Sequence, residues 1–189
     1  MRAEAGGQLE SAARTRLTAR EAFHVTETRR RNVLFLCTHN SARSIMAEAL
    51  LRSTAGERFD AWSAGSHPAA RPNPLALATL ERIAIPTQGL RSKSWDEFAR
   101  RGAPAMDFVF TVCDDAAGEI CPVWPGQPVT AHWGVEDPSQ HRGTEAERAR
   151  EFARVAGILK RRIELFASLP HETLDRLAIA ARVRDIGRA

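Results

Sequence analysis

The sequence predicts an α/β domain built on a mainly parallel sheet. Four short strand-like runs, at residues 33–36, 59–63, 107–112 and 129–133, alternate with segments of helical character. Glycine and proline close these runs at defined points. The longest helical segment, 145–167, keeps an apolar period through Phe152, Val155, Leu159, Ile163 and Phe166.

The elements follow in order. Residues 1–31 read as a flexible or weakly helical extension, with Leu9, Ala13 and Leu17 as a faint apolar stripe. The core domain spans 32–170. Val33-Leu34-Phe35-Leu36 is a buried-type strand. A helix is expected over 44–54, where Ile45, Ala49 and Leu50 share a face. The second strand, 59–63, is closed by Gly65 and Pro68. Pro72 and Pro74 open a helix over 74–83, and Pro86 lies past its end. A short helix over 94–101 has Ser94 as N-cap with Glu97 three residues on, which predicts a capping box. Strands follow at 107–112 and 129–133, then the long helix. A last helix, about 174–183, lies in the C-terminal segment 171–189.

Composition narrows the function classes. The net charge of +4 sits on the ends: residues 1–31 hold seven Arg against four Glu, and 171–189 hold four Arg against three acids. The body, 32–170, balances 16 basic against 16 acidic residues. It carries no electrostatic footprint for nucleic acid. No run approaches a membrane span, and no secretory signal is evident, so no membrane partner is expected. Three cysteines, an odd number, argue against a structural disulfide framework and for reduced, functional thiols in the cytoplasm.

The most informative stretch is Cys37-Thr38-His39-Asn40-Ser41-Ala42-Arg43-Ser44, between the first strand and the first helix. A cysteine leaving a parallel strand stands at the carboxyl edge, where such sheets bind ligands. The loop can turn its N–H groups inward, and the helix adds its positive end. Arg43 can fork onto two oxygens of an anion, and Ser44 can donate to a thiolate. Thr38, His39, Asn40, Ser41, Ala42, Arg43 and Ser44 therefore make a candidate oxyanion cradle, with Cys37 as nucleophile. The same field should bring the Cys37 pKa below that of an ordinary thiol. His39 either perturbs the thiolate or simply tolerates a positive φ and faces solvent.

The third strand ends at Cys113, at the same edge, and a polar, glycine-containing linker leads to Cys121. If this strand lies beside the first, Cys113 approaches Cys37. The two later cysteines could instead be inert and buried, or join Cys37 and His132 around zinc, although the close ligand pairs of zinc sites are absent. After the fourth strand, Pro138 holds Asp137 extended, where a carboxylic acid could protonate a leaving oxygen. Glu136 is the other candidate, and an ordinary Asp-Pro turn is the plain reading.

Residues 33–48, VLFLCTHNSARSIMAE, resemble the active-site segment of the low-molecular-weight tyrosine phosphatase fold, and within it the arsenate reductases. Ser63-Ala64-Gly65, the segment from Cys113 to Cys121-Pro122, and His132-Trp133-Gly134 before Asp137-Pro138 agree. The resemblance implies a single three-layer α/β/α domain with a four-stranded parallel sheet. It implies that Cys37 attacks arsenate while Asp137 protonates the leaving oxygen. Cys113 then attacks Cys37, releasing arsenite, and Cys121 attacks Cys113. Thioredoxin or another thiol reductant would reduce the resulting Cys113–Cys121 disulfide. Phosphate and sulfate would compete as oxyanions, and no cofactor or metal is called for. Some members bind potassium beside the loop; Asn40, Glu48 and Ser63 match part of that site, but Trp95 stands where its aspartate is expected.

Two other functions compete with the reductase. One is a phosphatase hydrolysing phosphomonoesters through a phosphocysteine; the other is a non-catalytic oxyanion-binding module. Ser139 stands where phosphatases usually place a tyrosine, and the chain has no tyrosine.

Overall fold

A computed structural model describes residues 29–113, 124–171 and 176–189. Four strands, β1 (Arg31–Cys37), β2 (Phe59–Gly65), β3 (Phe108–Thr111) and β4 (Val129–His132), form one sheet in the order β2-β1-β3-β4. All three pairings are parallel. The helices are α1 (Arg43–Ala55), α2 (Pro74–Arg82), α3 (Asp96–Ala99), α4 (Glu145–Ala167) and α5 (Arg176–Ile186).

The sheet is buried on both faces, which explains the unbroken apolar run in β1. Val33 and Phe35 point into one core with α1, α2, α4 and α5; Leu34 and Leu36 point into the other with Phe98 of α3, Val109 and Trp124. The larger core is aromatic at its centre. Phe110 stacks on Trp133 at 4.1 Å, and Phe166 of α4 meets Phe110 edge-on at 5.2 Å. Burying each such ring contributes about 1.5–3 kcal/mol, so this cluster pins α4 to β1 and β3.

Strand β1 starts two residues before its apolar run, because Arg31 and Asn32 pair with Phe59 and Asp60 of β2. Helix α2 starts as its sequence suggests: Asn73 accepts from the Leu75 N–H at 2.9 Å, and Pro74 occupies the first turn. The capping box expected at Ser94 does not form. Helix α3 has only four residues, and Glu97 turns instead to Arg91, which grips both its oxygens. The bidentate ion pair outcompetes a bond to one backbone amide. A capping box does form at α4, where Thr144 Oγ1 accepts from Glu147 N–H and Glu147 Oε2 accepts from Thr144 N–H at 2.8 Å.

Helix α5, described from Arg176, ends later than expected and lies along edge strand β4. Ile179, Val183 and Ile186 are buried there, and Trp133 Nε1 donates to the Val183 carbonyl at 2.8 Å.

The carboxyl ends of β1 and β2 are drawn together by Gly65. A Cβ there would lie 2.5 Å from Thr38 O and 2.9 Å from both Asn40 N and Cys37 O. Replacing Gly65 with alanine must push the loop after β1 off its seat. Urea unfolding of Gly65→Ala should show a loss of about 1–3 kcal/mol; an unchanged midpoint would contradict this close approach.

Candidate active site

The loop between β1 and α1 is held by its carbonyls. Thr38 O, His39 O and Ser41 O accept from the N–H groups of His67, Ala69 and Asn73, at 2.9, 2.8 and 2.8 Å. Within a trans peptide the C=O and the following N–H point opposite ways. Tying these carbonyls to the 67–73 segment therefore turns the amides of His39, Asn40 and Ala42 toward the other side. Asn40 has φ +44°, a left-handed geometry that asparagine tolerates. The positive φ thus falls on Asn40, one residue after His39, whose side chain is exposed. Ala42, at the N-cap of α1, offers no capping side chain, which leaves the helix's first turn open to an anion.

Cys37 lies at the base of this loop, 4 % exposed. Ser44 Oγ is 2.9 Å from its sulfur, and the Ser44 N–H bonds it as well. Arg43 is 7 % exposed. Its guanidinium donates to Val135 O at 3.2 Å and to Asp137 Oδ2 at 2.9 Å. The other Asp137 oxygen accepts from Ser139 N–H and Oγ, at 3.0 and 2.7 Å. Of the two carboxylates considered, Asp137 is the one that joins Arg43. Glu136 is mostly exposed and pairs with Arg154.

Strand β3 runs beside β1, with Leu36 opposite Thr111. Cys113 is fully buried just past that register, with Thr38 Oγ1 3.8 Å from its sulfur. It is close enough to Cys37 to act on its ionisation. Cys121 lies outside the described residues. His132 turns Nδ1 to Thr111 Oγ1 at 2.8 Å. Among the described residues, no three His, Cys, Asp or Glu side chains gather where they could hold a metal ion.

One sequence expectation is reversed. Burial pushes the Cys37 thiol up from its ordinary value, ahead of the downward pull of the Ser44 side chain and N–H; Cys113 adds to the rise and Arg43 opposes it weakly. The physical reason is burial: charging a sulfur that has lost its water costs more than the Ser44 bonds and Arg43, which is itself paired with Asp137, offset.

Beneath the loop lies a polar network in which the sequence analysis did not include Lys93. Asn40 Nδ2 donates to Ser44 Oγ and to Ser63 Oγ, each at 2.8 Å, and Asn40 Oδ1 accepts from Lys93 N–H at 2.8 Å. Ser63 Oγ donates to Glu48 Oε2. Lys93 Nζ, 3.3 Å from that same oxygen, also lies 3.4 Å from Ser63 Oγ and 3.1 Å from Arg91 O. Arg52 pairs with the other Glu48 oxygen. A potassium ion does not fit at Asn40, Glu48 and Ser63, because an ammonium already stands against the last two. Nothing in the stretch Arg91-Ser92-Lys93-Ser94 announces this, since the contact spans 45 residues.

The comparisons agree with this geometry. Residues 32–177 match the family model of the low molecular weight phosphotyrosine protein phosphatase. The chain belongs to that family, and its relatives place it among the arsenate reductases. An arsenate reductase of Halalkalibacterium halodurans is 36 % identical over 135 residues, covering 71 % of this chain and 94 % of the relative. One from Bacillus subtilis matches to the same extent. A solved arsenate reductase in its phosphate-binding state is 28 % identical with a TM-score of 0.60, covering 73 % of this chain and 97 % of that one. The tyrosine phosphatase Wzb of Escherichia coli, solved with sulphate, shares the fold at 20 % identity and a TM-score of 0.58.

If Asp137 neutralises Arg43, removing its charge should favour the thiolate. Asp137→Asn is expected to lower the Cys37 pKa by about half to one unit, read from the pH dependence of iodoacetamide alkylation. An unmoved or raised value would contradict the ion-pair account.

Proposed function

We propose that this chain reduces arsenate to arsenite, with Cys37 as nucleophile and Cys113 and Cys121 as the relay. The observation that carries this is a second buried thiol, Cys113, beside a nucleophile candidate seated in an anion-binding loop. A phosphatase resolves its intermediate with water and has no use for such a neighbour. The arsenate reductases among the chain's relatives support the same reading.

An arriving dianionic oxyanion is itself a base and takes the Cys37 proton, so the thiolate meets a monoanion. The guanidinium of Arg43 exchanges Asp137 for the oxyanion's oxygens. Relieved of its cation, Asp137 gains proton affinity and can act as the acid. Cys37 sulfur forms a bond to arsenic, and one oxygen leaves as water with the proton from Asp137. The Cys113 sulfur then attacks Cys37 sulfur, and its proton passes to an oxygen of the departing arsenite. A disulfide forms, the sulfur–arsenic bond breaks, and its electron pair takes arsenic from the +5 to the +3 state as arsenite departs. Cys121 attacks Cys113 sulfur, releasing Cys37 and leaving a Cys113–Cys121 disulfide for an external dithiol to reduce.

Thioredoxin is the reductant proposed, since an internal thiol pair suits a dithiol partner. A reducing compartment, the cytoplasm, suits the cycle. Among the described residues no helix is long and apolar enough to cross a membrane. The cradle residues Thr38 to Ser44 would bind phosphate and sulfate as competitors.

The test is Cys113→Ser, assayed for arsenate-dependent oxidation of thioredoxin and for aryl phosphate hydrolysis. Thioredoxin oxidation should fall at least about a hundredfold, because the adjacent thiol's high effective concentration is lost. Slow hydrolysis should survive. Arsenate reduction persisting at the parental rate would overturn the relay.

A further inference from the structure

The network beneath the loop has a direction, and Lys93 with Glu48 sets it. Asn40 Oδ1 accepts from a backbone N–H, that of Lys93, so its amide can be oriented only one way and both Nδ2 hydrogens face the serines. One hydrogen goes to Ser63 Oγ and the other to Ser44 Oγ. An ionised Glu48 can only accept, so Ser63 must spend its hydroxyl hydrogen on Oε2. Ser63 then receives from Asn40. At the other end Ser44 also receives from Asn40, and its own hydrogen is left for the Cys37 sulfur.

Everything in this sequence of bonds depends on Glu48 remaining a carboxylate while 1 % exposed. A carboxylate that deep is costly without a cation. Lys93, 6 % exposed, supplies one from beneath the loop; Arg52 supplies another from the surface side. Lys93 alone of the two also touches Ser63. The charged groups facing Lys93 are Glu48, Arg91 and Arg52; the titratable groups facing Cys37 are the Cys113 thiol and Arg43.

We infer that Lys93 is a positioning residue: a tethered cation that, through Glu48, Ser63 and Asn40, makes Ser44 a hydrogen-bond donor to the Cys37 thiolate. No exchangeable metal ion is needed for that task. The inference rests on Cys37 being the nucleophile proposed above, and deepens that reading.

The experiment is a double-mutant cycle of Lys93→Met, Ser63→Ala and the pair, read as the pH profile of Cys37 alkylation by iodoacetamide without arsenate. Each single change should raise the Cys37 pKa by about one unit, slowing alkylation about tenfold at neutral pH with recovery at alkaline pH. In the pair the shifts should not add, because both break one chain of bonds. Lys93→Arg, whose extra length can enter the adjoining cavity of about 450 Å³, should keep the parental profile. An unshifted Lys93→Met profile, additive shifts, or Lys93→Arg moving as far as Lys93→Met would overturn the inference. Should Lys93→Met not fold, Ser63→Ala decides alone: a raised pKa supports the chain of bonds and an unshifted profile overturns it. Failure here leaves the Cys113→Ser result untouched, whereas failure of that test leaves this alkylation profile readable.

Discussion

Two adjacent parallel strands, hydrogen-bonded to each other and each running out toward a cysteine, are the constraint on which the site depends. The register of β1 against β3 places Leu36 opposite Thr111. One residue further on is Cys37, and two beyond Thr111 is Cys113. A parallel sheet releases both chains at the same edge, so both thiols arrive at one place without a dedicated loop to bring them. Burial then keeps both sulfurs from water, which protects them and also withholds the solvation that a thiolate wants.

The rest of the site answers that problem. Amides of the loop are turned to one side by carbonyls anchored on the other, with Gly65 leaving room for the approach. Arg43 waits in an ion pair with Asp137 rather than lying open. Under the proposed function, this candidate anion-binding group is held in reserve, and an arriving oxyanion would displace a carboxylate to use it. Such an exchange favours a multiply charged oxyanion over a weaker anion.

Much of this was legible in the chain. The apolar run ending at Cys37, the aligned run ending just before Cys113, and the Asp137-Pro138 pair are local patterns, and local patterns survive folding. The apolar period of α4 located the core for the same reason. What the sequence did not reveal was relational. The capping box at Ser94 has the right letters, but Glu97 found a better partner in Arg91. The equally good letters at Thr144 and Glu147 do form one. The expected depression of the Cys37 pKa failed because the sulfur is buried deeper than a loop position suggests, and no spacing rule announces that Asp137 lies 2.9 Å from Arg43. Lys93 is invisible for the same reason: its partners, Glu48 and Ser63, come from α1 and β2.

In the proposed cycle, oxidation passes from Cys37 to a thiol lying beside it. The most direct measurement traps that step. Cys121→Ser enzyme, exposed to one equivalent of arsenate and mapped by non-reducing peptide mass spectrometry, should stall as a Cys37–Cys113 disulfide with one equivalent of arsenite released. Recovery of Cys37 and Cys113 as alkylatable thiols, with arsenate unchanged, would contradict it.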